Sequence, residues 1–140
     1  MKQIPVIFWT GTGNTQMMAD AVAEAINAAG AEAVVKNISE ITADEAAGYD
    51  ALALGCPAMG AEVLEECEFE PFFTELEGKL AGKKVVIFGS YGWGGSYMQD
   101  WEARVKDAGA TLVADGVLAL GAPDDEAMAK LTEAGKLLAE

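Results

Sequence analysis

The sequence predicts a doubly wound α/β fold, a five-stranded parallel sheet with helices on both faces. Three observations carry this expectation. Short apolar runs recur at residues 4–9, 33–38, 51–54, 85–88 and 111–120, several of them apolar at consecutive positions, as strands covered on both faces are. Helical patterns separate these runs. The turns after the first, third and fourth runs are rich in glycine or in residue types that hold planar ligands. Strand and helix in alternation demand a parallel sheet, because parallel neighbours need a crossover and crossovers are right-handed.

Each element has its own justification. Met18, Ala21, Val22, Ala25, Ile26 and Ala29 fall on one face of a first helix, and Gly30 follows as its stop. Thr42 and Glu45 form a capping box for a short second helix, while Pro71, between Glu70 and Phe72, belongs in the first turn of a third. Met98, Trp101, Val105 and Ala108 line a fourth helix that ends at Gly109, which makes Trp101 a core residue. Pro123 with Asp124, Asp125 and Glu126 opens a fifth, whose early acids and late Lys136 suit the helix dipole. Pro5 conflicts with the first strand because it donates no ladder hydrogen bond; its nitrogen is expected at the strand's start or opposite an unpaired position. No repeat, low-complexity segment or linker interrupts residues 1–140, which read as one domain.

Composition narrows the function. A chain of 140 residues buries roughly two thirds of its extended surface and needs no staple. It is 51% hydrophobic with a mean hydropathy of +0.17. Its apolar runs nevertheless stop at about six residues, far short of the roughly 20 that span a bilayer, so no membrane association is expected. Residues 4–9 follow Lys2 but lead into a Gly/Thr loop instead of a cleavage site, which reads as a strand and not as a secretion signal. Ten residues lie between Cys56 and Cys67, a spacing that suits neither a redox pair nor a metal site; reduced thiols in a cytoplasm are expected, with Cys56 a small buried hydrophobe at a strand end. Histidine is absent, which excludes imidazole acid/base chemistry, Ser-His-Asp triads and imidazole metal ligands.

Charge is lopsided. Twenty-three acids against nine bases give −14, which repels nucleic acid and anionic membranes while drawing basic protein partners. Seven of the acids lie in residues 62–77, a clustering that solubility alone does not require.

Ligands of a doubly wound sheet bind beyond the carboxyl ends of the strands, where the strand order reverses. The loops that reach that edge read Thr10-Gly11-Thr12-Gly13-Asn14-Thr15, Cys56-Pro57-Ala58-Met59-Gly60-Ala61-Glu62 and Ser90-Tyr91-Gly92-Trp93-Gly94-Gly95. The first lacks the Gly-Lys-Ser/Thr ending of a Walker loop and has Gln16 where a dinucleotide fingerprint has its third glycine. What remains is a neutral cradle: backbone N–H groups entering a helix, the hydroxyls of Thr10, Thr12 and Thr15, and the Asn14 amide. Donors in number stand in for a countercharge. In the other two loops Met59 and Trp93 lie beside glycines, off any helical face, where a flat aromatic ligand between them buries both. Phosphate at one end and a ring at the other describe a mononucleotide. Trp9 either flanks the phosphate loop or packs in the core.

With the three loops assembled, the chain resembles the short-chain bacterial flavodoxins along its whole length, in the segments TGTGNT, GCPAMG, EPFF and FGSYGWG. The resemblance implies non-covalently bound FMN and a low-potential one-electron carrier that shuttles between redox proteins in place of ferredoxin. It implies no substrate turnover, basic-surfaced partners such as reductases and ferredoxin-dependent enzymes, and a monomer. By position it implies that Thr10, Gly11, Thr12, Gly13, Asn14 and Thr15 bind the 5′-phosphate with help from Ser90. Met59 and Trp93 cover opposite ring faces, and the segments Pro57 to Ala61 and Tyr91 to Gly94 enclose the ring. Glu62 accepts from the flavin N3–H, Gly92 donates near O2, and the Gly60 carbonyl turns to N5–H once the ring takes up an electron. An NAD(P)H-dependent flavin reductase of the same fold is the nearest rival, but the chain shows no second pocket or basic group for a nicotinamide phosphate. A receiver domain needs aspartates where Phe8, Trp9, Leu54 and Gly55 stand.

The acids Glu62, Glu65 and Glu66 beside a ring site without bases disfavour the anionic, fully reduced ring, so the second potential is expected to be low. Two positions depart from the pattern the resemblance implies: Gly121 stands where some relatives carry a polar side chain near the ribityl, and Ala61 where some carry Asp or Gly. If the peptide turn moves a positive φ from residue 61 to Gly60 on reduction, alanine at 61 disfavours the oxidised form by about 1 kcal/mol. Ala61→Gly is therefore expected to lower the first reduction potential in a spectroelectrochemical titration, and an unchanged or higher value contradicts the argument.

Overall fold

A computed structural model describes residues 2–9, 13–57, 68–91 and 96–140. The order of elements is β1 (Gln3–Phe8), α1 (Asn14–Ala28), β2 (Glu32–Asn37), a single 3-10 turn (Ile38–Glu40), α2 (Ala43–Ala46), β3 (Ala51–Gly55), α3 (Phe69–Glu77), β4 (Lys84–Tyr91), α4 (Ser96–Asp107), β5 (Thr111–Leu112), β6 (Val117–Leu120) and α5 (Asp125–Ala139). All pairings are parallel and the sheet order is β2-β1-β3-β4-β5, with β6 also on β4. The order reverses between β1 and β3, the position at which a doubly wound sheet opens a crevice.

Burial follows the sheet order. Residues 51–55 are buried throughout β3, and β4 is buried from Val85 to Ser90, whereas the edge strands alternate or lie half-open. On one face α1 and α5 cover Ile4, Val6, Phe8, Ala53, Val86 and Phe88; on the other α2, α3 and α4 cover Ile7, Leu52, Leu54, Val85 and Ile87. Two consecutive residues of one strand thus enter different cores, which is why the runs are apolar without a break. Helices α1 and α5 meet closely because Gly135 has no side chain: a Cβ there would lie 2.7 Å from Ala25 Cβ and 2.9 Å from the Val22 carbonyl oxygen.

The predicted helix signals all appear. Gly30 stops α1 with φ 97°, although Ala29, expected on the buried stripe, is exposed. Thr42 and Glu45 bond each other's backbone N–H as a capping box, and Asp124 Oδ1 accepts from Ala127 N–H at 2.8 Å to open α5. Trp101 is 1% exposed, with Phe69 and Phe73 presenting to it edge-on at 5.5 and 5.9 Å. Its indole N–H has no hydrogen-bond partner among the described residues.

Pro5 is the third residue of β1, and its nitrogen falls where β1 is not paired with β3. Trp9 N–H donates to the Gly55 carbonyl on β3, and N–H groups alternate sides along a parallel strand, so the Pro5 nitrogen faces the β3 side as well. Pairing of β1 with β3 begins only at Val6.

The fifth strand differs from its expected form. It is broken into β5 and β6: Thr111 lies opposite Lys84 and Val117 opposite Phe88, so four steps along β4 are met by six along its neighbour. The reason is local. Gly116 N–H leaves the ladder and donates to Glu102 Oε2 on α4 at 2.8 Å, and a Cβ at Gly116 would overlap the Met98 side chain. Between the two pieces Val113 and Ala114 pack, partly buried, against the core under α1 and α5.

Helices α3 and α4 are braced by charge as well as by the aromatic cluster. Arg104 reaches both Glu70 oxygens at 2.7 and 2.8 Å, Glu77 at 3.0 and 3.2 Å, and lies 4.8 Å from the Phe73 ring centre. The guanidinium holds the Glu70 carboxyl below its ordinary value of 4.5. A depressed carboxyl stabilises the fold above its unfolded pKa and loses that contribution as pH falls through the folded one. Glu70→Gln is therefore expected to lose about 0.5–1 kcal/mol at pH 7, discounted for the third of each side chain that faces water. The gap to the parent chain should close towards pH 3, measured by urea unfolding at both pH values.

Candidate functional site

The site begins at the carboxyl edge of β1. Gly13 caps α1 with φ 93°, a left-handed conformation that costs other residues about 1–2 kcal/mol, and its carbonyl accepts from Met17 N–H at 3.1 Å. Glycine brings no capping side chain, and the first turn carries no acid. The partial positive charge of this 15-residue helix therefore faces the switch point without a carboxylate to offset it.

Directly above, two hydroxyls meet. Thr15, 1% exposed, is the second residue of α1; Ser90, 7% exposed, lies near the end of β4; their oxygens are 3.2 Å apart. They are the only buried polar or charged residues among those described. The mutual bond uses one hydroxyl proton and leaves the other to donate to a third acceptor. Helix dipole and spare hydroxyl proton point to the same kind of ligand, an oxyanion, and fit the phosphate of FMN. Carbon side chains of similar size would have packed at these positions at no polar cost.

The two neighbouring strand ends are drawn to the same edge. Cys56 and Pro57 continue β3, with Cys56 N–H bonded to the Phe88 carbonyl at 3.0 Å and its thiol buried against the Pro57 carbonyl at 3.5 Å. That is the buried small hydrophobe the sequence suggests. The Tyr91 carbonyl, at the end of β4, accepts from Gly121 N–H at 3.0 Å; Gly121, with φ 69°, reaches this edge by backbone alone. Trp9 is half-buried, packs on the α3 side of the sheet, and donates its indole N–H to Glu68 Oε1 at 3.2 Å, tying the end of β1 to the start of α3. It therefore packs against the sheet, as one of the two expectations has it; the loop at residues 10–12 lies outside the described residues.

Of the predicted site residues, Gly13, Asn14, Thr15, Pro57, Ser90 and Tyr91 converge on this edge. Thr10, Gly11, Thr12, Ala58, Met59, Gly60, Ala61, Glu62, Gly92, Trp93 and Gly94 lie outside the described residues, as do Glu65 and Glu66. The acid cluster is partly answered from within: Glu70 and Glu77 face Arg104, and Glu68 faces Trp9. Sequence reasoning missed Tyr97, whose hydroxyl donates to the Cys56 carbonyl at 2.9 Å. The available signal was Gly89, a glycine inside a strand, which marks a close approach. Among the described residues no group of carboxylates or cysteines can hold a metal ion, and no helix is long and apolar enough to cross a membrane.

The arrangement defines a class: doubly wound domains that take an anionic ligand at the switch point by dipoles and hydroxyls instead of by a cationic side chain. Comparison with known proteins narrows it. The family model described as Flavodoxin matches residues 6–135. A flavodoxin of Clostridium beijerinckii is 45% identical over 135 residues, covering 96% of this chain and 97% of its own. One from Megasphaera elsdenii is 46% identical over 116 residues, covering 82% and 85%. The solution structure of the two-electron reduced Megasphaera elsdenii flavodoxin superposes with a TM-score of 0.89 at 42% identity, over 97% of this chain and 98% of that one. Oxidised flavodoxin 2 from Bacillus cereus follows with 0.84 at 31%, over 98% and 97%. The chain belongs to the flavodoxin family, the FMN-binding electron carriers.

Proposed function

We propose that this chain carries electrons at low potential between proteins, standing in for ferredoxin, and turns over no substrate of its own. FMN, when bound, supplies a ring that takes up and releases electrons singly. The chain's residues hold and shield it. The observation that carries the assignment of the phosphate end is the buried Thr15–Ser90 hydroxyl pair over the glycine-capped start of α1. In this reading residues 10–15 and Ser90 meet the 5′-phosphate, Met59 and Trp93 cover the ring, Glu62 accepts from its N3–H, and the 57–61 and 91–94 segments close round it. The role of each residue outside the described segments is the one that the resemblance to the flavodoxins implies.

Removing either hydroxyl takes away a donor to a charged group, worth about 1.5–3 kcal/mol, and leaves the other buried oxygen without its partner. Thr15→Ala and Ser90→Ala are expected to weaken FMN binding by that amount and to leave riboflavin binding nearly unchanged, measured by quenching of flavin fluorescence. Equal losses for both flavins contradict the phosphate assignment.

Partners are basic. A chain with a net charge of −14 attracts positively charged redox proteins at long range and repels nucleic acid and anionic lipid. The cytoplasm, where thiols stay reduced, suits a monomer with a buried Cys56 thiol. The FMN-loaded chain is expected to oxidise NAD(P)H negligibly by itself. With a basic-surfaced reductase added, stopped-flow reduction should be fast at low ionic strength and slow markedly between about 0.01 and 0.15 M salt, as the screening length falls from roughly 30 to 8 Å. Turnover of NAD(P)H without a reductase places the chain among the flavin reductases instead.

A further inference from the structure

Strand β2 ends the sheet and, among the described residues, pairs only with β1. Its Glu32 N–H donates to the Lys2 carbonyl at 2.7 Å, so the N–H and C=O groups of even-numbered residues face β1 and those of odd-numbered residues face outward. An open row of that kind invites a further strand. Here side chains close it at both ends. Asn27 Oδ1, in the last turn of α1, accepts from Ala33 N–H at 2.9 Å, and Glu40 Oε1, in the 3-10 turn, accepts from Asn37 N–H at 2.7 Å. Between them the Val35 N–H has no partner among the described residues, and Val35 is 41% exposed. The strand is also self-complementary. Set antiparallel to a second copy about Val34, it places Ala33 against Val35 and Glu32 against Lys36, twice each by the two-fold axis. Ala33 and Val35 carry outward groups and exchange N–H to C=O bonds, while Glu32 and Lys36 meet as opposite charges. Of the four central rungs, two need the Ala33 N–H, which Asn27 already holds.

We propose that the β2 edge is a docking surface for a second copy of this chain, and that Asn27 keeps it shut by occupying the Ala33 N–H of each copy. The inference is independent of what binds at the carboxyl edge. Charge complementarity names the occupant and the register. Centred on Val34, an antiparallel copy pairs every charge of the strand with its opposite; centred on Val35 instead, Lys36 meets Val34 and Glu32 meets Ile38, and neither charge is answered. Glu40 acts in the same way further along, holding the Asn37 N–H that would reach Ala31 of the second copy. A net charge of −14 also keeps copies apart, but that repulsion is screened beyond about 8 Å at physiological salt. A guard made of a hydrogen bond is not screened, and pairing must first break it.

The test is Asn27→Ala, which frees the Ala33 N–H, compared with the parent chain by sedimentation equilibrium up to millimolar protein in about 0.15 M salt. The parent is expected to stay a monomer, and the variant to self-associate about tenfold more strongly or better, the size of the two released rungs. Hydrogen exchange locates the contact: in the variant the Val35 amide is expected to become protected as protein concentration rises. Adding Lys36→Glu sets acid against acid and is expected to abolish the association. A further Glu32→Lys restores both the net charge and the pairing, and is expected to bring the association back. A variant as monomeric as the parent overturns the proposal. So does association that survives Lys36→Glu alone, or that leaves Val35 exchange independent of concentration, and so does a parent chain already paired through β2. Should the variant not fold, hydrogen exchange on the parent decides: the Ala33 and Asn37 amides are expected to be protected and that of Val35 to exchange quickly at every dilution, and a Val35 amide as slow as these two overturns the proposal.

Discussion

A buried hydroxyl must find a partner, and at the carboxyl edge of this sheet two of them find each other. The Thr15–Ser90 bond joins the first turn of α1 to the end of β4 across the width of β3. It can form only if three conditions hold together: β1 and β4 must end at the same edge, α1 must turn sharply at Gly13, and β4 must run past the end of β3 to Ser90. Each condition is set by something humbler. The common edge follows from parallel pairing, the sharp turn from a glycine at positive φ, and the overrun of β4 from its continued pairing with β6. The polar pair is thus a consequence of the sheet, and it in turn commits the sheet's edge to an anion.

Most of the architecture could be read from residue patterns because its causes are local. Apolar runs, Gly30 and Gly109 as stops, the Thr42–Glu45 box and the Asp124 cap each act within a few positions, and each is found where expected. Pro5 could be read too, since a missing donor restricts where the next strand begins. What escaped was set by contacts between residues far apart. The split of the fifth strand depends on Glu102 reaching Gly116 from another element, and no periodicity in residues 111–120 announces it. The small box of Asn37 and Glu40 was as local as the others but lay inside an apolar run, where the strand signal masked it. At the site, the buried Thr15 could be singled out by residue type, whereas Tyr97 could not: a tyrosine in a helix's first turn reads as packing until the carbonyl it meets is known.

The acidic stretch of residues 62–77 changes meaning once its neighbours are known. By composition it is a uniform block of negative charge. In the fold two of its later acids are paired: Glu70 and Glu77 are held by a single arginine that also lies over Phe73, and so they brace α3 on α4. Glu75, between them, stays exposed, so composition alone does not tell which acids of the stretch face solvent.

Hydrogen bonding governs how the sheet gives way to the site. Parallel strands held by regular ladders stay about 4.8 Å apart, too close to admit a ring, so a ligand slot requires that the ladder stop. Stopping it exposes carbonyls and N–H groups to a buried environment, at about 1–3 kcal/mol for each group left unpaired. Along this edge three strand-end carbonyls are met. Gly121 N–H takes that of Tyr91 and Trp9 N–H that of Gly55, each as the last rung of its ladder among the described residues, whereas the Cys56 carbonyl is taken by a side chain from outside the sheet, the Tyr97 hydroxyl. A carrier that must bind its ring tightly and still let electrons in and out needs walls of that kind: rigid at their roots and free of unpaired groups that would reach for the ligand in the wrong place.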